Sequence, residues 1–277
     1  MRNSAAPKAA GASGAFADRS TALTVTGVTK IYRTQQQEQT HALATTSFEV
    51  GEGEFLSLVG PSGCGKTTLM KVCAGLLPPT DGQVAFRDTG APVEPGRYGV
   101  VFQSPALLEW RNVLDNLLLP AQVLKLNRRA ATERAHELLE LVNLPDVADK
   151  YPNELSGGMR QRAAIARALV HDPEILFMDE PFGALDAFTR ERLNEDLQHI
   201  HQQSRKTVIF VTHSISVAVF LSDRVLVMST QPGRVISEKA IDVPRPRTDE
   251  SRTTTAFRDY ERSVREALRS GTDEATT

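Results

Sequence analysis

A chain of 277 residues, 40% hydrophobic and 24% charged, is long and apolar enough to bury the core of one large domain or two small ones. Its formal net charge of −2 provides no basic excess of the kind that nucleic acid attracts, so we expect no nucleic-acid partner. The sequence has no apolar run of about 20 residues, the length that a membrane-spanning helix requires.

The N-terminal part of the sequence predicts a tail followed by a hairpin. Residues 1–22 are rich in Ala, Gly and Ser and lack the apolar centre of a signal peptide, which indicates a disordered tail. Next, TALTVTGVTKIYRT alternates like a strand, TQQQEQTHA is typical of a polar hairpin loop, and ALATTSFEV predicts a second strand that ends at GEGE. The hairpin indicates an antiparallel β subdomain.

The central region alternates between short apolar strands and helices. FLSLVG is a buried type of strand and is followed at once by the helix of PSGCGKTTLMKVCAGL. Further strands are expected in QVAF, YGVVFQ, EILFMDEP, TVIFVTH and RVLVMS. This alternation predicts a layered α/β fold with a largely parallel sheet. Residues from 104 to about 160 are mostly helical, and we expect them to form a subdomain inserted into this core.

The last residues predict a separate segment. We expect the main domain to span residues 23–240, and residues 241–277 to form a polar linker, IDVPRPRTDESR, and one short helix, FRDYERSVREALRS. The only two cysteines of the sequence, Cys64 and Cys73, have no metal-ligand spacing and, if they share a helix, lie beyond disulfide reach. We therefore expect reduced thiols, as in a cytoplasmic protein.

Residues 60–67, GPSGCGKT, match the phosphate-binding pattern G-x-x-x-x-G-K-[ST] between a predicted strand and a predicted helix. The glycines let successive backbone N–H groups face an anion, and the helix N-terminus adds partial positive charge. Lys66 is then expected to reach the β- and γ-phosphates, and the Thr67 hydroxyl to ligate Mg²⁺. The alternative is a glycine-rich turn that simply precedes a helix.

Polar residues end three of the other predicted strands. Asp179 and Glu180 follow ILFM, where Asp179 suits a magnesium contact and Glu180 a general base. The alternative is that the two carboxylates are simply an acidic pair at the start of a helix. Gln103 follows YGVVF and His213 follows TVIFVT, and each can equally be a surface or structural residue. Tyr32 can stack on a base or simply pack.

The stretch ELSGGMRQR, residues 154–162, begins a helix with a serine and two glycines. A glycine inside a helix costs about 1 kcal/mol relative to alanine, so the pair needs a reason. Ser156 can cap the helix, and Gly157 and Gly158 leave room for an anion to approach the N–H groups. This predicts a second phosphate-facing helix start. Asp186 is a weaker candidate that can be only a helix cap.

Together these residues resemble the ATP-binding subunits of ABC transporters over residues 24–235. The resemblance rests on six motifs in order, namely GPSGCGKT, VFQ, LSGG, ILFMDEP, ALD and VTH. It implies an α/β fold with a P-loop NTPase core of the ABC ATPase type, an antiparallel β subdomain and an inserted helical subdomain. It also implies an ATP hydrolase that uses ATP and Mg²⁺.

The resemblance further implies a role for each matching position. Glu180 would be the catalytic base, His213 the γ-phosphate switch, and Gln103 the residue that senses magnesium and γ-phosphate. The residues expected to bind nucleotide are Tyr32, Gly60, Pro61, Ser62, Gly63, Cys64, Gly65, Lys66, Thr67, Thr68, Ser156, Gly157, Gly158 and Asp186, and the expected magnesium ligands are Thr67, Gln103 and Asp179. The LSGG residues would face ATP held by a second copy.

Four phrases resemble the nitrate, sulfonate and taurine importers in particular, namely LSGGMRQR, DEPFGALDAFTR, LLEWRNVLDNLLLP and QPGRV. This implies a dimer at the cytoplasmic face of the cell membrane, docked on a separate permease that an extracytoplasmic substrate-binding protein serves. Leu107, Leu108 and Trp110 would form part of the docking surface or, equally, a small core cluster. Met159 and Val217 depart from patterns common among relatives, which often have Gln and an acidic residue there.

A soluble ABC ATPase that acts on nucleic acid or ribosomes is the alternative function. The DNA-repair type carries a long coiled coil, but only 52 positions separate Gln103 from Leu155, without a sustained heptad pattern. The translation type carries two such domains, and this chain has one P-loop. A P-loop kinase would leave LSGG and His213 unexplained. A transport ATPase is therefore the prediction, while its cargo lies beyond the sequence.

Overall fold

In the computed structural model, which describes residues 19–33, 39–183, 186–230 and 232–273, the strands form two sheets. The strands are β1 (Thr21–Arg33), β2 (Gln39–Gly51), β3 (Phe55–Val59), β4 (Asp81–Phe86), β5 (Tyr98–Val101), β6 (Ile175–Asp179), β7 (Thr207–Thr212), β8 (Arg224–Met228) and β9 (Val235–Ala240). The antiparallel sheet has the order β2-β1-β4. The larger sheet has the order β5-β6-β7-β3-β8-β9, in which β9 runs antiparallel to β8 and the other pairs are parallel.

The helices cover the larger sheet and form the predicted helical subdomain. They are α1 (Lys66–Cys73), α2 (Val113–Leu117), α3 (Leu119–Val123), α4 (Arg128–Leu141), α5 (Gly157–Leu169), α6 (Ala187–Ser204), α7 (Ile215–Leu221), α8 (Asp249–Thr253) and α9 (Thr255–Asp273), with short 3-10 turns at Arg87–Thr89 and Pro152–Glu154. Helices α2 to α5 lie between β5 and β6, which are neighbours in the sheet. The predicted α/β architecture, with its antiparallel subdomain and helical insertion, is confirmed.

The central strands are short and apolar because both faces of the sheet are covered. All five residues of β3 and all six of β7 are buried. Strands β6, β7 and β3 are adjacent and parallel, so their carboxyl ends meet at one edge of the sheet. The residues that follow these three strands are therefore brought together there.

The N-terminal boundary of the folded region differs slightly from the expectation. Strand β1 begins at Thr21, inside the segment expected to be a tail, because Thr21 pairs with Gly51 and Ala22 is buried. Residues 1–18 of the expected tail, and residues 34–38 of the expected hairpin loop, lie outside the described residues.

The C-terminal segment is more extensively folded than a linker and a short helix. Ile241 and Val243 are buried in the main core, and α9 is 19 residues long. Phe257 and Val264 of α9 are also buried, since their seven-residue spacing places both on the same face of a helix. The many charged residues between these apolar positions concealed this packing in the sequence.

Candidate active site

The loop between β3 and α1 has the backbone of an anion-binding site. Gly63 and Gly65 adopt positive φ angles of 78° and 93°, which side-chain-bearing residues rarely adopt. Gly65 is the N-cap of α1 and supplies no side-chain cap, so the N–H groups of the first turn remain available to an anion. The predicted phosphate loop therefore has the required strand–loop–helix geometry.

Lys66, the first residue of α1, holds its charge inside this loop. The side chain is buried, with the residue only 5% exposed. Its ammonium group donates hydrogen bonds to the carbonyl oxygens of Gly60 and Pro61, at 2.8 and 2.9 Å. A phosphate in the loop would compete with these two carbonyls for the ammonium group.

Thr67 and Asp179 bring two oxygen donors together at the sheet edge. The Thr67 hydroxyl donates a hydrogen bond to Asp179 Oδ1 at 2.8 Å. Burial, and to a lesser degree the adjacent Glu180 carboxylate, raise the pKa of Asp179, whereas the bond from Thr67 lowers it. A hydroxyl beside a carboxylate fits Mg²⁺, which prefers a few protein oxygens together with water and phosphate. Among the described residues no cluster of three His, Cys, Asp or Glu could cage a metal without such additional ligands.

Glu180 and His213 form a direct contact at the ends of β6 and β7. His213 Nδ1 lies 3.0 Å from Glu180 Oε2, and the imidazole is largely exposed. Glu180 has a positive φ of 43°, an uncommon backbone conformation for a residue with a side chain. Its N–H donates to the carbonyl of Val211 at 2.9 Å, so β7 holds Glu180 in place. The arrangement can orient a base against a neighbouring imidazole.

A cavity of about 760 Å³ joins the phosphate loop, Lys66, Thr67, Asp179 and Glu180. His213 lies outside its lining and meets the site through Glu180. The lining of the cavity includes ten of the residues predicted from the sequence, namely Tyr32, Ser62, Gly63, Gly65, Lys66, Thr67, Thr68, Gln103, Asp179 and Glu180. The volume suits a ligand of nucleotide size. Its cationic and amide-rich floor next to two carboxylates is typical of a site for phosphate and a divalent cation.

Several predicted residues lie outside this cavity. Gly60, Pro61 and Cys64 form the back of the phosphate loop, where a Cβ at Gly60 would lie 2.6 Å from the Cys64 sulfur. Asp186 instead caps α6, accepting a hydrogen bond from the Thr189 N–H at 3.0 Å. Cys64 and Cys73 are buried free thiols, and burial raises the pKa of Cys73 to about 12.

The cavity also has walls that the sequence analysis missed. They are Gln39, Thr40, His41 and Ala42 of β2, and Pro232 and Gly233 before β9. Gly233 donates to the Ala42 carbonyl at 3.1 Å, and a Cβ placed on it would lie 1.8 Å from the Cys64 carbonyl oxygen. The motif QPGRV, which contains Gly233, resembled the importer family and could have indicated this wall. The polar residues at the start of β2 match no motif that would have indicated a site.

The LSGG residues lie apart from the cavity, at the start of α5. Ser156 is exposed and caps α5, accepting a hydrogen bond from the Met159 N–H at 3.3 Å. Gly157 lines a second cavity of about 340 Å³, which Gln103 also lines. Gly158 is buried, and a Cβ there would lie 2.9 Å from a methyl carbon of Thr189 on α6. Gly158 therefore has a packing role as well.

The apolar cluster after Gln103 divides between core and surface. Leu107 is 9% exposed and belongs to the main core, whereas Trp110 is 74% exposed. Leu108 is half-buried. Trp110 is thus the member of the cluster that can contact a partner. In the described part of the chain, no helix has the length and apolar character needed to cross a membrane.

Comparison with known proteins identifies the family. The model of the ABC transporter family matches residues 43–183. The chain is 46% identical to the taurine import ATP-binding protein TauB of Rhizobium johnstonii, covering 84% of this chain and 91% of the relative. It is 38% identical to the aliphatic sulfonates import ATP-binding protein SsuB of Bacillus cereus, covering 90% and 96%.

A solved structure agrees with these relatives. It is the dimeric post-hydrolysis state of an ATP-binding cassette bound to ADP and Pi, and it is 33% identical to the chain, with a TM-score of 0.68. The match covers 80% of this chain and 100% of that one. With the phosphate loop, the paired carboxylates and these comparisons in agreement, the chain belongs to the ABC transporter family and is one of its ATP-hydrolysing subunits.

Proposed function

We propose that the chain drives an importer for taurine, an aliphatic sulfonate, nitrate or a similar small solute. The names of the relatives support import of the first two classes. The observation that carries the hydrolytic part is Glu180, which lies in the nucleotide cavity and contacts His213. The subunit would work at the cytoplasmic face of the membrane, on a permease that receives solute from an extracytoplasmic binding protein.

In this proposal the P-loop, residues 60–68, holds the phosphates of ATP. Its backbone N–H groups bind phosphate oxygens, and Lys66 exchanges its loop carbonyls for the β- and γ-phosphates. Tyr32, partly exposed at the edge of the cavity, stacks on adenine. Thr67, Asp179 and Gln103 would hold Mg²⁺, which neutralises phosphate charge when bound.

Glu180 and His213 act on the γ-phosphate end of the site. The Glu180 carboxylate accepts a proton from the attacking water, and His213 orients that carboxylate through its Nδ1 contact. The other ring nitrogen, Nε2, would then be available to contact the γ-phosphate. His213 would therefore respond to whether ATP or its products occupy the cavity.

The active unit is a dimer in which two copies face each other head to tail. Within one copy, Ser156 and Gly157 lie outside the nucleotide cavity, so they can reach ATP only if it is held by another copy. The dimeric state of the solved relative supports this arrangement. Gly158 would complete the anion-facing helix start, and Asp186 would reach the nucleotide only across the dimer.

Trp110 is proposed as an anchor for the permease. Replacing it with alanine should weaken co-purification with the permease by roughly 30-fold or more, because a buried interface tryptophan typically contributes about 2 kcal/mol or more. ATP hydrolysis by the isolated subunit should stay unchanged, since Trp110 does not line the nucleotide cavity. Leu76→Ala, at another exposed apolar residue, is the control. Full co-purification of Trp110→Ala would contradict this role.

Gly233 is proposed to position the phosphate loop. A Gly233→Ala variant should bind ATP about tenfold more weakly, because its Cβ would push against the Cys64 carbonyl and such overpacking costs about 1–3 kcal/mol. Titration with a fluorescent ATP analogue measures this. At Gly51 a Cβ would come no closer than 3.3 Å to a neighbouring atom, so Gly51→Ala is the control. Equal affinity of both variants would show that the turn does not position the loop.

The import function is tested in cells. A strain that lacks this chain should lose growth on taurine, an aliphatic sulfonate or nitrate as the sole source of sulfur or nitrogen, and the chain should restore it. Glu180→Gln should fail to restore growth. Normal growth of the deletion strain on all these solutes, together with ATP hydrolysis stimulated by DNA or ribosomes, would favour the alternative function.

A further inference from the structure

Helix α7 begins immediately after His213 and is tied to it through the backbone. The Ser214 N–H donates to the Thr212 hydroxyl at 3.0 Å, and the Ser214 hydroxyl accepts from the Val217 N–H at 3.4 Å. His213 therefore lies between the end of β7 and the capped start of α7. Any rotation or shift of α7 moves the imidazole relative to Glu180.

The far end of α7 is held by a buried cation from the C-terminal segment. Arg247 is 2% exposed, and its Nη1 donates to the carbonyl oxygens of Val219, Phe220 and Ser222 at 2.7, 3.1 and 2.8 Å. These carbonyls are the negative end of the helix, where a guanidinium is favourable. Burial, with the neighbouring Arg245, lowers the pKa of Arg247 to about 10, which still leaves it protonated at neutral pH.

The backbone of Arg247 is itself fixed to α6. The Gln198 side chain donates to the Arg247 carbonyl at 2.9 Å and accepts from the Arg247 N–H at 2.8 Å. The guanidinium also donates to the carbonyls of Val243 and Ile241, at 2.9 and 3.3 Å. These contacts with α6 and with its own segment hold Arg247 independently of α7, so it can anchor the end of that helix.

Two further arginines of the same segment contact α7. Arg252 donates to the Ser216 hydroxyl at 2.9 Å and places its guanidinium 4.2 Å from the centre of the Phe220 ring. Arg245 donates to the Leu221 carbonyl and to Asp223 Oδ1. Residues 241–254, here named the arginine clasp, therefore hold α7 at its first turn and at its last.

We infer that the arginine clasp is a positioning element for hydrolysis, because it fixes α7 and so keeps His213 against Glu180. This inference rests on the roles proposed above for these two residues. No residue of the clasp lines the nucleotide cavity, so we expect it to act through α7. It predicts a loss of turnover without a loss of ATP binding.

The contact between Arg252 and Ser216 allows a test that leaves Arg247 in place. Arg252→Leu keeps an apolar contact with Phe220 and removes the hydrogen bond, and Ser216→Ala removes the same bond from the other side. We expect each variant of the full chain to lower kcat about three- to tenfold with the KM for ATP unchanged, since small misplacements of catalytic groups have effects of this order or larger. The double variant should be no worse than either single one, and Arg252→Lys should restore part of the rate.

Arg265, exposed on α9, provides the matched control, and Arg265→Leu should keep the original kcat. If both clasp variants lower only the melting temperature, with kcat unchanged, the clasp is purely structural and the inference is wrong. The ATP turnover of Glu180→Gln shows whether the clasp inference alone fails or the proposed function fails with it. If Glu180→Gln still hydrolyses ATP, the underlying roles are wrong; if it is inactive while the clasp variants are fully active, only the clasp inference fails.

Discussion

Replacing Glu180 with glutamine is expected to lower ATP turnover by about 10²- to 10⁴-fold while ATP binding is retained. Glutamine has nearly the same shape and can still accept a hydrogen bond from His213, so the 3.0 Å contact can persist. What is lost is the ability to take a proton from water. Because ATP then remains intact, the variant should accumulate as an ATP-bound dimer.

Phosphate release measures the loss of turnover, and nucleotide affinity measures the retained ATP binding. Size-exclusion chromatography with ATP detects the dimer. Glu191→Gln removes an exposed carboxylate from α6 and is the matched control, with unchanged turnover expected. Normal phosphate release by Glu180→Gln would rule out Glu180 as the base. Loss of ATP binding would instead indicate that the carboxylate mainly supports the cavity.

Replacing Ser156 with aspartate should lower the rate of ATP hydrolysis by about a hundredfold or more, without unfolding α5. Aspartate caps helices as well as serine does, so the hydrogen bond from the Met159 N–H can be kept. The added negative charge would, however, face the γ-phosphate of ATP on the other copy, and like charges in an interface cost several kcal/mol. One copy should still bind ATP, because Ser156 does not line its own cavity.

The matched control is Asn127→Asp, which places the same charge at the exposed cap of α4. This control should hydrolyse ATP normally. Gly158 is a less suitable position for such a test, because any side chain there meets Thr189 and disturbs the contact with α6. Full turnover by Ser156→Asp would show that α5 does not face the nucleotide in the active dimer.

The part of the site that could be predicted consists of residues at the ends of strands. Thr67, Asp179 and Glu180 each follow a short apolar strand or its loop, and parallel strands bring their carboxyl ends together. Local patterns therefore sufficed to predict that Thr67 and Asp179 come together, although they lie 112 residues apart. The fold class followed from the same alternation of strand and helix.

The rest depends on contacts that have no local pattern. Leu107 and Trp110 are both apolar and three positions apart, yet one is in the core and the other in solvent. No local pattern distinguishes them. Gly233 is required because a distant carbonyl, that of Cys64, lies against it. The sequence predicted that Arg247 is part of a charged linker. Nothing in the stretch PRPR, residues 244–247, indicates that the carbonyl groups at the end of α7 lie beside its guanidinium.

The position of Arg247 late in the sequence has a consequence for the newly made chain. Every described residue that lines the nucleotide cavity, up to Gly233, is synthesised before it. A growing chain whose residues up to Gly233 have left the ribosome can therefore form its phosphate loop while the last carbonyls of α7 still lack their buried cation. We expect such a chain to bind nucleotide before Arg247 can fix α7, and so before His213 is fully positioned for hydrolysis.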